Sequence, residues 1–237
     1  MIEIIKKILK KFDLRLIKIS KNQNSYDLIH NQILQKSIDL VLDIGANSGQ
    51  FVEKLRKEGY QKNIISFEPL KREHEIIKKK ATKDKFWTVH DRCAIGDIDG
   101  KIILNISNYS PSSSILSFTD MHKEAKPSAV MIDKEIVNII KLDTVSKNFL
   151  QKNIMIKIDT QGYENKILRG AVNLLKHCKI IFCEVSFQHL YDGQELWQET
   201  VSLLESQGFV IYSVENGVFN KRHNKLLQGD MIFLKND

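Results

Sequence analysis

Four carboxylates in this chain sit where apolar runs give way to turns: Asp43, Glu68, Asp159 and Glu184. The first opens the most informative stretch, Asp43-Ile-Gly-Ala-Asn-Ser-Gly49, where an apolar run stops at Gly45 and an amphipathic pattern starts near Gln50. That reads as strand, tight glycine loop and helix, a geometry that sets backbone N–H groups and a helix N-terminus beside a ligand. Nineteen residues past Gly49, the run Asn63-Ile-Ile-Ser-Phe-Glu68 ends in an acid. One carboxylate at the tip of a second strand can accept from both hydroxyls of a ribose. A dinucleotide loop would need a glycine where Asn47 stands, so that backbone could approach a pyrophosphate. Asn47 tolerates left-handed backbone but fills that space. Asp43 would repel a pyrophosphate and attract an ammonium. The residue types therefore point to S-adenosylmethionine, which carries a ribose, an amino group and a sulfonium but no phosphate, with Asp43, Gly45, Asn47, Gly49 and Glu68 around it.

The elements that must position these residues alternate along the chain. Strands are expected near 40–44, 63–67, 87–92, 101–107, 135–141, 154–158, 179–185, 209–214 and 230–234. Helices are expected near 49–58, 70–82, 144–150, 163–176 and 195–207. Residues 108–114, Asn-Tyr-Ser-Pro-Ser-Ser-Ser, read as a loop. The alternation means an α/β fold with a mostly parallel sheet and right-handed crossovers. The last two strands, with no helix between them, pair antiparallel at one edge. Gly170, within a helical pattern, signals close helix–sheet packing.

Composition bounds the rest. The 237 residues carry a formal charge of +7, which permits anionic partners without requiring them. Cys93, Cys178 and Cys183 form no metal-binding spacing and no disulfide framework, so a reducing cytoplasm is the expected location. No apolar stretch has transmembrane length. Residues 1–19 place Ile2, Ile5, Leu9, Phe12, Leu16 and Ile19 at helical spacing with lysines mostly opposite. Such a basic helix lies on the inner surface of an anionic membrane, or packs on its own domain or on the second subunit of a homodimer. Tyr26 to Lys36 reads as a second short helix. Residues 1–37 thus form an N-terminal basic helical segment, and 38–237 the catalytic domain.

Several separate segments from residue 38 onward resemble the FkbM family of S-adenosylmethionine-dependent methyltransferases. Val41 to Gly49 is similar to the family's first motif and Ser66-Phe-Glu-Pro69 to its second. Ala94-Ile-Gly-Asp-Ile-Asp-Gly100, Ser113-Ser114-Ile115 and Lys141-Leu-Asp143 resemble three further elements. The most distinctive block is Lys157-Ile-Asp-Thr-Gln-Gly-Tyr-Glu164 with Ile167-Leu-Arg-Gly-Ala171, followed by Glu184 on the next strand. The family more often has Val-Glu where Thr160-Gln161 stand here. The resemblance implies a Rossmann-like class I methyltransferase fold, a seven-stranded, mostly parallel sheet with an antiparallel last strand, and methyl transfer to a hydroxyl of a sugar or related small molecule. Asp91, at the expected end of the third strand, and Ala94 join the cofactor-binding set.

A neutral hydroxyl is a poor nucleophile and needs a base as the bond to the methyl forms. Asp159, Glu164 and Glu184 are the candidates, Asp159 first because it ends a strand beside the cofactor strand and precedes the Gln161-Gly162 turn. A helix cap or a cofactor contact is the alternative role for Asp159, and the helix dipole alone accounts for an acid at Glu164. These three oxygens could together hold a divalent cation, but no metal is assigned. His90 and His189 lie on neighbouring segments. Nucleic acid is not the expected partner: Asp159-Thr-Gln-Gly-Tyr163 stands where amino-methylating DNA enzymes carry a Pro-Pro aromatic motif, and no cysteine follows a proline. An RNA ribose 2′-O-methyltransferase and a non-catalytic cofactor-binding scaffold remain as alternatives.

Overall fold

The computed structural model describes residues 25–236 apart from residue 221, so the basic segment 1–19 lies outside the described residues. Among the described residues there are twelve strands: β1 (Leu40–Ile44), β2 (Asn63–Phe67), β3 (Trp87–Val89), β4 (Ala94–Gly96), β5 (Gly100–Ser107), β6 (Met131–Lys141), β7 (Ile154–Ile158), β8 (Cys178–Ser186), β9 (Phe209–Asn216), β10 (Phe219–Asn220), β11 (Lys225–Leu226) and β12 (Gln228–Lys235). Seven form the main sheet in the order β3-β2-β1-β7-β8-β12-β9. Its first five members pair in parallel, and β12 runs antiparallel to both β8 and β9. The sheet is the Rossmann-like arrangement expected from the alternation, with the reversed strand in place. The chain winds outward from β1 to β3 and returns to β7, so a crevice opens at the C-terminal ends of β1 and β7, where such sheets bind ligands.

The central strands β1 (LVLDI) and β7 (IMIKI) are buried along their whole length, as nearly continuous apolar runs in a parallel sheet should be. One apolar cluster joins Ile29 and Ile33 of the helix Ser25–Gln35 to Phe51, Val52, Leu55 and Ile77 of the helices Gln50–Lys57 and Lys71–Ala81. The other joins Ile167, Leu168, Leu174 and Leu204 of the later helices to β4, β5 and β6. Those three strands form a second sheet, with β4 parallel and β5 antiparallel to β6. Among the described residues, no helix is long and apolar enough to cross a membrane.

Several boundaries differ from expectation for local reasons. The third strand stops at Val89, and residues 90–92 bend away before β4 begins. The helix expected over 163–176 is two, Glu164–Arg169 and Val172–Leu175. A Cβ on Gly170 would stand 1.9 Å from the Gly96 carbonyl oxygen, so the close packing read from that glycine is present, at a helix break. Between β5 and β6 the chain adds a 3₁₀ turn at Ser110–Ser112 and an unexpected helix at Asp120–Ala125, too short for periodicity to reveal.

Candidate active site

The crevice holds a cavity of about 390 Å³, within the usual ~300–1,000 Å³ of small-molecule sites. Its walls come from the tips of β1, β2, β7 and β8 and from the insertion between β5 and β6. Gly45, Asn47, Glu68, Leu70, Ala94 and Ile95 line it, as do Tyr109, His122, Lys126 and Gln228, and with them Asp159, Gln161 and Glu184.

The glycine loop works as a close approach. Gly45 has φ +74°, and a Cβ there would lie 2.0 Å from the Asp159 carbonyl oxygen, so β1 and β7 reach the cavity side by side only because the side chain is absent. Asn47 takes the left-handed φ of +46° that its residue type tolerates. Its N–H donates to Glu68 Oε2 at 2.6 Å, and the Leu70 N–H donates to Oε1 at 2.8 Å. Glu68 is buried, and burial pushes its pKa up to about 7 against the pull of those N–H groups. Gly49 does not line the cavity. It enters the helix Gln50–Lys57 with φ +87°, and a Cβ there would meet the Trp87 ring at 2.7 Å.

Asp43 is also absent from the cavity lining. It is fully buried, accepts from Ser66 Oγ at 2.9 Å and pairs with Lys157 Nζ at 3.3 Å. Parallel pairing sets Asp43 directly beside Lys157, so the ammonium that meets this acid comes from the chain itself. Lys157 also donates to the Gly45 carbonyl at 2.8 Å and so braces the loop from beneath. Burial works against its charge, but Asp43 and Asp159 outweigh burial and its pKa is raised. Sequence reasoning passed over this lysine, although a signal existed: two apolar strands each broken once, by opposite charges.

Asp91 is exposed and absent from the cavity wall, because the strand expected to carry it ends two residues earlier. Ala94, buried on β4, does line the cavity. His189 is exposed and off the wall, and the His90 ring stacks on Phe67 instead.

The three acids of the catalytic set do not converge. Glu164 Oε1 accepts the Thr160 N–H at 2.9 Å, the Gly162 N–H at 3.1 Å and the Thr160 hydroxyl at 3.2 Å. It ties down the turn after β7 and does not reach the cavity. Burial raises its pKa despite these N–H groups. Asp159 and Glu184 do meet, through Gln161: the amide Nε2 donates to Asp159 Oδ1 at 2.9 Å and to Glu184 Oε2 at 2.7 Å. Gln228, at the start of β12, donates a second amide to Glu184 Oε2 at 2.7 Å. Burial, then Asp159, Glu164 and Asp230, push the Glu184 pKa well up against the opposing Lys157 charge. The cation site that these acids could have formed is not built, since Glu164 is committed to backbone. Among the described residues, no group of three or more His, Cys, Asp or Glu side chains is placed to hold a metal ion.

The far wall was not legible from the sequence. Phe118 stacks on His122 at 3.7 Å, and both rings pack on the buried Tyr191. Burial and the nearby Lys126 lower the His122 pKa to about 4, so its ring is neutral. Lys126 Nζ sits 3.4 Å above the Tyr109 ring.

Residues 43–211 match the family described as Methyltransferase FkbM domain. The chain is 26% identical over 188 residues to the 2-O-methyltransferase NoeI of Sinorhizobium fredii, covering 75% of this chain and 77% of that one. A putative S-adenosylmethionine-dependent methyltransferase from Listeria monocytogenes superposes with a TM-score of 0.48 at 10% identity, over 88% of this chain and all of that one. An S-adenosylmethionine-dependent methyltransferase from Clostridium acetobutylicum superposes at 0.46 and 10% identity, over 100% and 98%.

Proposed function

The chain belongs to the FkbM family of methyltransferases, and from that premise we propose that it is an S-adenosylmethionine-dependent O-methyltransferase acting on a hydroxyl of a sugar, a glycan precursor or a related small molecule. The methyl donor fits the residues present. Glu68 keeps lone pairs beyond its two N–H bonds to accept from ribose hydroxyls, and Phe67, Leu70, Ala94 and Ile95 offer an apolar slot for a flat base. When bound, the donor supplies a methyl on a sulfonium, an electrophile whose sulfur leaves as a neutral thioether.

The observation that carries the reading is a strand-end carboxylate, Asp159, on the wall of the cavity that Glu68 also lines. Asp159 takes the hydroxyl proton as the acceptor oxygen bonds to the methyl carbon; an amine, already nucleophilic, would need no such base. Gly45 and the Lys157 brace hold the β1 and β7 tips together, a fixed frame on which donor and acceptor can be positioned for an in-line displacement. The serine-rich turn at 110–113 adds hydroxyl groups to the cavity lining, which suit a polyhydroxyl compound. The relative's name, a 2-O-methyltransferase, supports oxygen as the acceptor atom.

The basic residues 1–19 would add peripheral contact with an anionic membrane or a homodimer contact; sedimentation with anionic liposomes, with and without that segment, separates these. The substrate test is a screen with labelled methyl donor against free sugars, nucleotide sugars, lipid-linked glycans and RNA. Label in a sugar-containing acceptor is the expected result. Label in RNA alone overturns the acceptor assignment.

A further inference from the structure

We propose that Gln161 is a positioning residue for the methyl-transfer step: its amide, clamped by Tyr191, joins Asp159 to Glu184 and leaves Asp159 as the carboxylate that receives the acceptor's proton. The proposal rests on the reading of Asp159 as base.

The clamp explains why the amide has one orientation. The Tyr191 hydroxyl donates to Gln161 Oε1 at 2.8 Å, and Tyr191 is fully buried within a small cluster with Leu190 and Leu227. A flipped amide would turn its oxygen toward two carboxyl oxygens and its nitrogen toward a donor. The backbone is fixed as well. Ser114 Oγ donates to the Gln161 carbonyl at 2.7 Å, and Gln161 holds a left-handed φ of +58° that a residue of its type adopts only when its surroundings impose it. An Nε2 group has two hydrogens, and here each goes to a different carboxyl.

Two carboxyls sharing one nitrogen cannot both ionise without repulsion. The groups facing them decide which one keeps its charge. Glu184 lies on β8 between Asp159 of β7 and Asp230 of β12, with Glu164 behind it and Lys157 as the opposing cation. Its direct pairing partner across the sheet is Asp230, itself raised to about 6 chiefly by burial. Burial and the surrounding acids push the Glu184 carboxyl well up, while the Lys157 charge interacts with Asp159 on the neighbouring strand. An amide keeps this bridge at every pH, whereas a carboxyl in its place would bridge only while protonated.

Gln161→Leu removes both N–H bonds while keeping an uncharged, somewhat shorter side chain. The loss of a hydrogen bond to the charged form should move the acid limb of the pH–rate profile up by about one pH unit. Turnover on that limb then falls about tenfold at a given pH, and raising the pH restores it. Methyl-donor affinity and thermal stability serve as controls for folding. A carbon-13 titration of the side-chain carboxyls reads the same midpoint in the protein alone. If no hydroxyl acceptor is ever found, the functional reading fails while the titration still decides the bridge. Tyr191→Phe frees the amide to flip and should move the limb the same way by less; it carries the test if Gln161→Leu does not fold. An acid limb and carboxyl midpoints coincident with the wild type in the folded variant would reduce Gln161 to packing and overturn the proposal.

Discussion

At the β2 end of the cavity Glu68 is held by two backbone N–H groups, while at the β8 end Glu184 is held by two side-chain amides. Both acids are raised by burial, yet their partners differ in kind. Backbone donors come with the turn and survive any change of neighbouring side chain. Amide donors reach Glu184 from residues 23 and 44 positions away and can be lost one at a time. In the proposed reading, the cofactor end is therefore set by local chain geometry, and the reacting end by side chains that three different elements bring together.

The sharpest way to break this division is at Asp159. Asp159→Asn keeps its shape and removes its charge, so turnover should fall by about 10²–10⁴-fold while methyl-donor affinity stays constant. Affinity lost along with turnover, and turnover regained at saturating donor, would move Asp159 to the cofactor end.

Asp43 belongs to the frame beneath both ends. Asp43→Ala leaves the Lys157 ammonium buried and unpaired, which should lower folding stability by about 3–5 kcal/mol in denaturant titration. Asp43→Ala combined with Lys157→Met should recover most of that loss. Stability unchanged in the single variant, with affinity lost, would return Asp43 to a direct cofactor contact.

At the cofactor end, Glu68→Ala should weaken methyl-donor binding by about 1.5–3 kcal/mol in calorimetry. The wild type adds a pH dependence. With its pKa raised to about 7, Glu68 binds a proton more tightly folded than unfolded. Its stabilising contribution to the free protein is complete below the ordinary carboxylate range and is lost as pH rises through about 7. Ribose hydroxyls donate to the ionised form, so affinity should rise over the same window. Both slopes should be flat in Glu68→Gln. The smallest effect is expected at Asp91: Asp91→Ala should change affinity and stability by no more than about 0.5 kcal/mol, as for an exposed side chain with no wall to line.

Much of this was legible before any coordinates. The runs ending at Ile44, Phe67 and Ile158 fixed three neighbouring strands, because buried parallel strands must be apolar throughout and helices between them must be amphipathic. Gly45, Asn47 and Glu68 followed from local chemistry. Asp91 misled because a strand end is uncertain by two residues, and two residues decide whether a side chain meets the cavity. Glu164 misled because an acid in a first helical turn can serve a ligand or its own loop, and spacing does not separate the two.

By itself, the sequence determined the alternation of the main-sheet strands with helices, the glycine loop and the acid that answers it, since these depend on residue types within a few turns of chain. The tertiary structure decided that Lys157 answers Asp43 and that Gln161 joins Asp159 to Glu184 under the Tyr191 clamp. Those contacts span 30 to 114 residues in part and depend on register between strands, which no local pattern encodes.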